Sequence, residues 1–202
     1  MQRKMTEERR NKIESVLSKR QNDLAVVLEN VFDPHNISAI MRSCDAVGIQ
    51  EIYVLNTRIP FHKNWGFHSS RSASKWITVL QFDDVHQCFA AVRAKYPRIL
   101  ATHLSEKAEN LYDLDLTQKT ALVFGNEQYG VSDEVISMAD GNFVIPQVGM
   151  IHSLNISVAC AVTLYEAYRQ KEKAGHFGNQ KLSEFEFASI GKQWGLEYEK
   201  TL

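Results

Sequence analysis

The hydrophobic positions of this chain of 202 residues fall into short continuous runs, separated by longer segments with a helical period. Six of the short runs are rich in β-branched and aromatic residues, which predicts strands. Most of these runs are apolar at nearly every position, so we expect a sheet that is buried on both faces. The predicted strands cover residues 24–29, 51–55, 76–82, 98–104, 120–125 and 142–145.

The intervening segments have the spacing of amphipathic helices and cover residues 34–47, 84–96, 132–139 and 153–173. Strands that alternate with helices predict an α/β fold with a mainly parallel sheet and helices on both faces. A basic helix after Thr6 and a helix over 183–195 flank this pattern. We therefore expect an N-terminal helix (1–22), an α/β domain (23–173) and a C-terminal helical extension (174–202).

Charge is distributed unevenly along the chain. The first 20 residues hold seven Lys and Arg against three Glu, a net charge of +4, which leaves −5 for the remaining residues. A basic helix of this kind is suited to binding nucleic-acid phosphates, although charged terminal helices are more often simply solvated.

Composition also indicates the cellular compartment of the protein. No apolar run reaches the roughly 20 residues that span a bilayer, and no signal peptide is visible, so we expect a soluble cytoplasmic protein. Three widely spaced cysteines, Cys44, Cys88 and Cys160, stand among apolar residues in predicted helices. We interpret them as reduced core residues and see no motif that requires a metal.

Both ends of one predicted helix are encoded in residues 30–48. Asp33 is the expected N-cap, Pro34 occupies the first helical position, and Gly48 follows the helix end. His35 and Arg42 are seven residues apart, on a different face from the apolar stripe, and should point away from the core. Taken alone, Arg42 is a surface arginine on an amphipathic helix.

Another segment places polar residues where a predicted strand ends. The strand over 120–125 stops at Gly125 and carries Asn126 and Glu127 into a turn that Gly130 closes. The carboxyl ends of parallel strands are common ligand sites, and glycine permits close approach of the backbone to a ligand. Taken alone, this spacing is more typical of a simple turn.

A third segment leads from the last predicted strand through a loop to a helix. Pro146 and Gly149 lie in that loop, and we expect Ser153 to be the N-cap of the helix. Asn155 stands just before residues apolar enough for deep burial, so its amide needs a hydrogen-bond partner. A ligand would satisfy this requirement, and so would the free backbone amides of the helix start.

Together, the three segments resemble the ordered motifs of the SpoU RNA 2′-O-methyltransferase family, within the knotted SPOUT superfamily. The matching strings are Asn36 with Arg42, Phe-Gly-Asn-Glu-x-x-Gly at 124–130, and Ile-Pro-x-x-Gly-x-x-x-Ser-Leu-Asn-x-Ser-x-Ala at 145–159. The similarity extends over about residues 8 to 173. Leu-Tyr-Glu-Ala-x-Arg-Gln at 164–170 resembles the branch that acts on guanosine 18 of tRNA in particular.

This resemblance implies that the C-terminal part of the domain is tied in a deep trefoil knot and that the protein is a homodimer. It also implies that loops of the knot hold S-adenosylmethionine as the cofactor. The cofactor would deliver its methyl group to the ribose 2′-hydroxyl of a guanosine in the tRNA D-loop. By position, the cofactor-binding residues would be Thr102, His103, Leu104, Gly125, Asn126, Glu127, Ile145, Gly149, Met150, Ser153 and Leu154.

The resemblance also assigns roles in catalysis and RNA binding. The catalytic residues would be Asn36, Arg42, Glu127, Ser153 and Asn155. The family proposal makes the matched arginine the general base, but arginine is effectively always protonated. Arg42 as a cation that grips phosphate, with His35 as the proton acceptor, is therefore an open alternative. The RNA-binding residues would be Arg9, Arg10, Lys19, Arg20, His35, Arg71 and Arg169.

Several other functions compete with this interpretation. The same fold could methylate ribosomal RNA or another tRNA position, whereas a non-catalytic RNA-binding protein would not need all five catalytic residues. A serine hydrolase is disfavoured because no Gly-x-Ser-x-Gly surrounds Ser153. A nicotinamide enzyme is disfavoured because no Gly-x-Gly-x-x-Gly follows the first predicted strand.

Overall fold

A computed structural model describes residues 5–62, 73–151 and 153–196. Strands and helices alternate along most of this part of the chain. The strands are β1 (Leu24–Glu29), β2 (Glu51–Leu55), β3 (Thr78–Phe82), β4 (Arg98–Thr102), β5 (Glu109–Asn110), β6 (Thr120–Phe124) and β7 (Gly141–Val144). The α-helices are α1 (Glu7–Leu17), α2 (Pro34–Ala46), α3 (Ala73–Trp76), α4 (Val85–Arg93), α5 (Asp133–Met138), α6 (Ile156–Lys173) and α7 (Glu184–Gln193).

The described strands form one sheet in the order β3-β2-β1-β6-β4-β7-β5. Every neighbouring pair is parallel, which confirms the predicted sheet type. On one side of β1 lie β2 and then β3, and on its other side lie β6, β4, β7 and β5. The loops that follow β1 and β6 therefore meet at the point where the strand order changes direction, which is where open α/β sheets bind ligands.

Helices cover both faces of the sheet, as predicted. Along β1, Val26 and Leu28 pack in the core formed with α2, α3 and α6, whereas Ala25 and Val27 pack in the core formed with α4 and α5. Because successive side chains of a strand point to opposite faces, the continuous apolar run of β1 supplies both layers.

The cysteines are buried and free, as the sequence predicts. Burial raises the pKa of the Cys44 and Cys88 thiols to about 12. These side chains therefore pack as small apolar groups and are not reactive thiolates.

Some boundaries differ from the sequence-based prediction for local reasons. Trp76 ends the short helix α3 and does not start β3, because the Ile77 N–H donates to the Ala73 carbonyl at 3.1 Å. The predicted N-cap Ser153 is wrong: α6 begins at Ile156, and the side chain of Asn155 caps it. The strand β5 was not predicted, since its two residues are too few to show a period.

The two terminal helices pack against each other beside the sheet domain. Ile13 and Leu17 of α1 meet Ile190 of α7 and Trp194 just after it in a separate apolar cluster. Ser183 and Glu186 form a capping box that fixes the start of α7. Within the described ranges, no helix is long and apolar enough to cross a membrane.

Arg20 is fully buried, so the prediction that it contacts RNA is wrong. Its guanidinium donates to the Asp45 carboxylate and to the carbonyls of Ile49 and Trp76, at 3.1 and 3.2 Å. The ring of Trp194 covers the guanidinium, with 4.9 Å between Cζ and the ring centroid. Arg20 therefore joins the N-terminal segment to α2, α3 and the residue that ends α7.

We predict that Arg20→Ala lowers the free energy of unfolding by about 3–5 kcal/mol, because the half-buried Asp45 carboxylate and the Ile49 and Trp76 carbonyls lose the guanidinium that donates to them. Urea unfolding followed by circular dichroism measures this loss. Arg10→Ala is the matched control, since Arg10 is half-exposed and its ion pair with Glu14 is worth at most about 1 kcal/mol. Equal midpoints for wild type and Arg20→Ala would contradict the structural role.

Candidate active site

The turn after β6 forms the centre of the site. Gly125 is required there, because a Cβ at this position would lie 2.2 Å from the backbone of Gly130 and Val131. The Asn126 side-chain oxygen accepts hydrogen bonds from the backbone N–H groups of Gln128 and Tyr129, at 2.8 and 3.2 Å. The Gly130 N–H donates to the Asn126 carbonyl at 2.8 Å and closes the turn.

A chain of three side chains connects the three sequence motifs. Asn155 donates from Nδ2 to Asn36 Oδ1 at 3.2 Å, and Asn36 donates from Nδ2 to Glu127 Oε1 at 2.6 Å. These residues are 119 and 91 positions apart in the sequence and come from the start of α6, the first turn of α2 and the turn after β6. The structure therefore brings together three of the five predicted catalytic residues.

Asn155 is exposed, not buried, and it takes the capping role that its position suggested. Its Oδ1 accepts hydrogen bonds from the Ser157 N–H and hydroxyl, at 2.9 and 2.6 Å, and so caps α6. These bonds fix the plane of the amide and direct Nδ2 toward Asn36. The helix cap thus orients the first donor in the series of hydrogen bonds that ends at Glu127.

The strand-end cleft, a cavity of about 580 Å³, lies at the carboxyl ends of β4, β6 and β7. Its apolar lining includes Phe124 and Ala159, which belong to the sequence motifs, and Phe143 and Ile156, which the motifs did not specify. Met150, also predicted to bind the cofactor, is exposed and is not part of the lining. The other predicted cofactor-binding residues do line it: Thr102, His103, Leu104, Gly125, Asn126, Glu127, Ile145, Gly149, Ser153 and Leu154.

Hydrogen bonds hold one wall of this cleft in place. The Thr102 hydroxyl donates to the Val123 carbonyl at 3.1 Å, and the His103 N–H donates to the Phe143 carbonyl at 3.2 Å. Asn142 Nδ2 donates to the His103 carbonyl at 2.9 Å. Segment 102–104 is thus anchored to β6 and β7, while the Leu104 side chain stays 81% exposed.

A second space, the loop cavity, lies on the other side of the same turn. It has a volume of about 600 Å³ and is bordered by the loops after β1 and β2. Asn126, Glu127, Gln128 and Gly130 line both cavities, so the turn is the wall between them. Glu127 places a carboxylate on this shared wall.

Arg42 and His35 are exposed on α2 and line neither cavity. Arg42 is six residues beyond Asn36, about 9 Å along the helix axis. Its guanidinium makes no hydrogen bond or ion pair with the residues that the structure describes. The catalytic role of Arg42 stays a prediction.

The predicted RNA-binding residues are dispersed. Arg9 and Lys19 are exposed in the N-terminal segment, and Arg169 is exposed on α6, where it pairs with Glu166 at 2.7 Å. The Glu166 carboxylate holds the pKa of Arg169 above its ordinary value. Arg71 and most of the basic and aromatic segment 58–75 lie outside the described residues.

Similarity to known proteins identifies the family. Residues 23–165 match the SpoU rRNA methylase family. The chain therefore belongs to the SpoU methylase family. A tRNA (guanosine(18)-2′-O)-methyltransferase of Thermus thermophilus is 41% identical over 194 residues, which cover 95% of this chain and 98% of the relative.

Solved structures of the SpoU family show the same fold. A TrmH/SpoU tRNA modifying enzyme of A. aeolicus has a TM-score of 0.85 at 40% identity, over 93% of this chain and 95% of its own. The SpoU methyltransferase AviRb of Streptomyces viridochromogenes, solved with the cofactor AdoMet, has a TM-score of 0.68 at 26% identity. That match covers 78% of this chain and 64% of AviRb.

The strand-end cleft has the properties that S-adenosylmethionine, the cofactor of SpoU methyltransferases, requires. Its volume lies in the range of about 300–1,000 Å³ typical of small-molecule sites. The apolar lining suits an adenine ring, and the backbone of 102–104 and 145–149 offers polar groups at the rim. The residues present therefore fit the cofactor.

We predict that Gly125→Ala weakens binding of S-adenosylhomocysteine at least about tenfold, because the new methyl group would displace the turn that lines the cleft. Isothermal titration calorimetry measures the affinity, and far-UV circular dichroism verifies the fold. Gly178→Ala is the control, since a Cβ there meets no atom within 4 Å. Unchanged affinity in Gly125→Ala would show that this turn does not shape the cofactor site.

Proposed function

We propose that this protein transfers a methyl group from S-adenosylmethionine to the ribose 2′-hydroxyl of guanosine 18 in tRNA. The observation that carries the proposal is the chain from Asn155 through Asn36 to Glu127, which ends on the wall between two cavities. One cavity suits the cofactor and the other is open to a nucleotide. The near full-length similarity to a guanosine-18 methyltransferase supports the choice of substrate.

The cofactor, when bound, supplies an electrophilic methyl group on its sulfonium. The protein must then align the 2′-oxygen with that methyl group and accept the hydroxyl proton. In this proposal, the backbone of 102–104 and the loop 145–149 hold the cofactor, and Gly125 allows the turn after β6 to follow it closely. The knot of the family fold, which we expect here as well, would bring these loops together.

In this proposal, Glu127 receives the hydroxyl group. One of its oxygens accepts a hydrogen bond from Asn36, which fixes the plane of the carboxylate. Its second oxygen makes no hydrogen bond to the described residues and can accept one from the 2′-hydroxyl. Asn36 and Asn155 are positioning residues in this scheme, and Arg42 contributes a cation to an RNA phosphate.

We also propose that the protein acts as a homodimer. Five exposed large apolar side chains lie on the loop before α6 and on that helix: Val148, Met150, Ile151, Val158 and Tyr165. Val158 and Tyr165 are seven residues apart and share one face of α6. A second copy of the chain, packed on this surface, would remove these side chains from water.

The remaining RNA contacts of the proposal come from exposed cations outside the cleft. Arg9 and Lys19 in the N-terminal segment and Arg169 on α6 would bind tRNA phosphates. Such contacts hold the tRNA without reading its sequence, and they weaken as the salt concentration rises.

We predict that Glu127→Gln lowers single-turnover methyl transfer at least about 100-fold, since the amide cannot accept the hydroxyl proton. The assay follows labelled methyl from S-adenosylmethionine into unmodified tRNA transcripts, with nuclease digestion to locate the product. S-adenosylhomocysteine should still bind within a few-fold of wild type.

Glu134→Gln is the control for this charge change, because Glu134 is exposed at the start of α5 and lines neither cavity. Label on a nucleotide other than guanosine 18 would overturn the proposed substrate position. Wild-type rates in Glu127→Gln would overturn the role of this carboxylate.

We predict that Tyr165→Asp converts the protein from a dimer to a monomer of 23.1 kDa, since it places a charge in an apolar interface. Sedimentation equilibrium measures the mass in solution. Phe185→Asp, at an exposed aromatic residue on α7, should leave the dimer intact. A monomeric wild type would rule out the proposed assembly.

A further inference from the structure

The proposed function puts the cofactor in the strand-end cleft and leaves the loop cavity, which shares the wall that carries Glu127, open to a nucleotide. We propose that this cavity binds the base of the target nucleotide and that the Glu29 carboxylate selects guanine. This inference rests on the proposed function, because it assumes that a ribose is methylated at the shared wall.

The cavity is organised around Asn30, at the end of β1. Asn30 has a φ of 50°, in the left-handed region that a non-glycine residue adopts only when its surroundings hold it there. Its Nδ2 donates to Thr57 Oγ1 at 3.0 Å, and its Oδ1 accepts from the Arg58 N–H at 2.9 Å. Its carbonyl accepts from Asn126 Nδ2 at 2.7 Å. One residue thus fixes three loops around a preformed space.

The geometry of a nucleotide places the base on this side of the turn. The base is bonded to C1′, the neighbour of the carbon that bears the reacting hydroxyl. With the hydroxyl at Glu127 and the methyl donor in the strand-end cleft, the base must extend away from that cleft. The loop cavity begins at the same Glu127 and Asn36, and its volume of about 600 Å³ is ample for a nucleoside.

Two aromatic rings stand at the rim of the cavity. Phe32 is 73% exposed and Tyr129 is 71% exposed, although both residues line the cavity. Unstacked RNA bases bind by stacking on such rings, which also removes the rings from water. A base inserted between the loop after β1 and the turn after β6 would meet both residues.

In this proposal, the carboxylate of Glu29 in the lining of the loop cavity selects the base. The residue is only 2% exposed, and its Oε2 accepts a hydrogen bond from the Ser132 N–H at 2.9 Å, which orients the carboxylate. The other oxygen has no hydrogen bond to the residues that the structure describes. Guanine presents two adjacent donors, N1–H and the 2-amino group, which match a carboxylate. Adenine presents one donor beside an acceptor.

The test compares tRNAs, assembled by ligation, that carry guanosine, inosine or adenosine at the target position. Binding to the protein saturated with S-adenosylhomocysteine is measured by fluorescence anisotropy, and transfer is measured in single turnover. Inosine lacks only the 2-amino group of guanosine. For the wild-type protein, the affinity or the transfer rate should be about fivefold or more lower with the inosine tRNA than with the guanosine tRNA, and lower still with the adenosine tRNA.

In Glu29→Gln, the affinities and transfer rates for the guanosine and inosine tRNAs should agree within about twofold, because the amide replaces one acceptor by a donor. Glu134→Gln is the matched control: Glu134 undergoes the same change of charge, is exposed at the start of α5 and lines neither cavity, so discrimination should remain. Should Glu29→Gln fail to fold, Tyr129→Ala and Tyr129→Phe provide the second comparison. Loss of stacking should weaken binding about fivefold or more in Tyr129→Ala only.

Each outcome separates the two proposals. Wild-type discrimination in Glu29→Gln, or wild-type affinity in Tyr129→Ala, overturns the base site even when guanosine 18 is methylated. Guanine-selective binding that Glu29→Gln removes, without any methyl transfer to tRNA, overturns the proposed function and retains the base site. Absence of both binding and transfer overturns both proposals.

Discussion

The pairing of β1 with β6 is the constraint on which the rest of the site depends. Leu28 lies opposite Phe124 in a parallel register, so both strands end at the same level of the sheet. The loop after β1 and the turn after β6 therefore emerge side by side. Asn126 can reach the Asn30 carbonyl, and Glu127 can reach Asn36, only because this register aligns the two ends.

The site uses elements that are also needed for folding. Asn155 caps α6 and orients Asn36 with the same side chain, and Asp33 caps the helix that carries Asn36. Gly125 lets the backbone pass where any Cβ would collide with residues 130 and 131. The geometry of the site is therefore fixed by groups whose loss would also disturb local structure.

The basic N-terminal segment shows that charge along the sequence does not identify RNA contacts by itself. Arg9 and Lys19 are exposed, whereas Arg20, one residue beyond Lys19, is buried under Trp194. A buried guanidinium needs several hydrogen-bond acceptors, and here they come from positions 25 to 56 residues away. Arg20 links the terminal helices to the sheet domain and so maintains the surface on which the other cations stand.

The sequence by itself determined the parallel α/β pattern, because apolar runs and helical periods are local properties of the chain. It also indicated Asn36, Glu127 and Asn155 through their motifs, and most of the residues that line the strand-end cleft. Only the tertiary structure decided which strands are neighbours, that Arg20 is buried, and that Glu29, Phe32 and Tyr129 line one cavity. These properties depend on contacts between residues far apart in the sequence, 25 to 56 positions for Arg20 and its acceptors and 103 for Glu29 and Ser132, and no local pattern specifies such contacts.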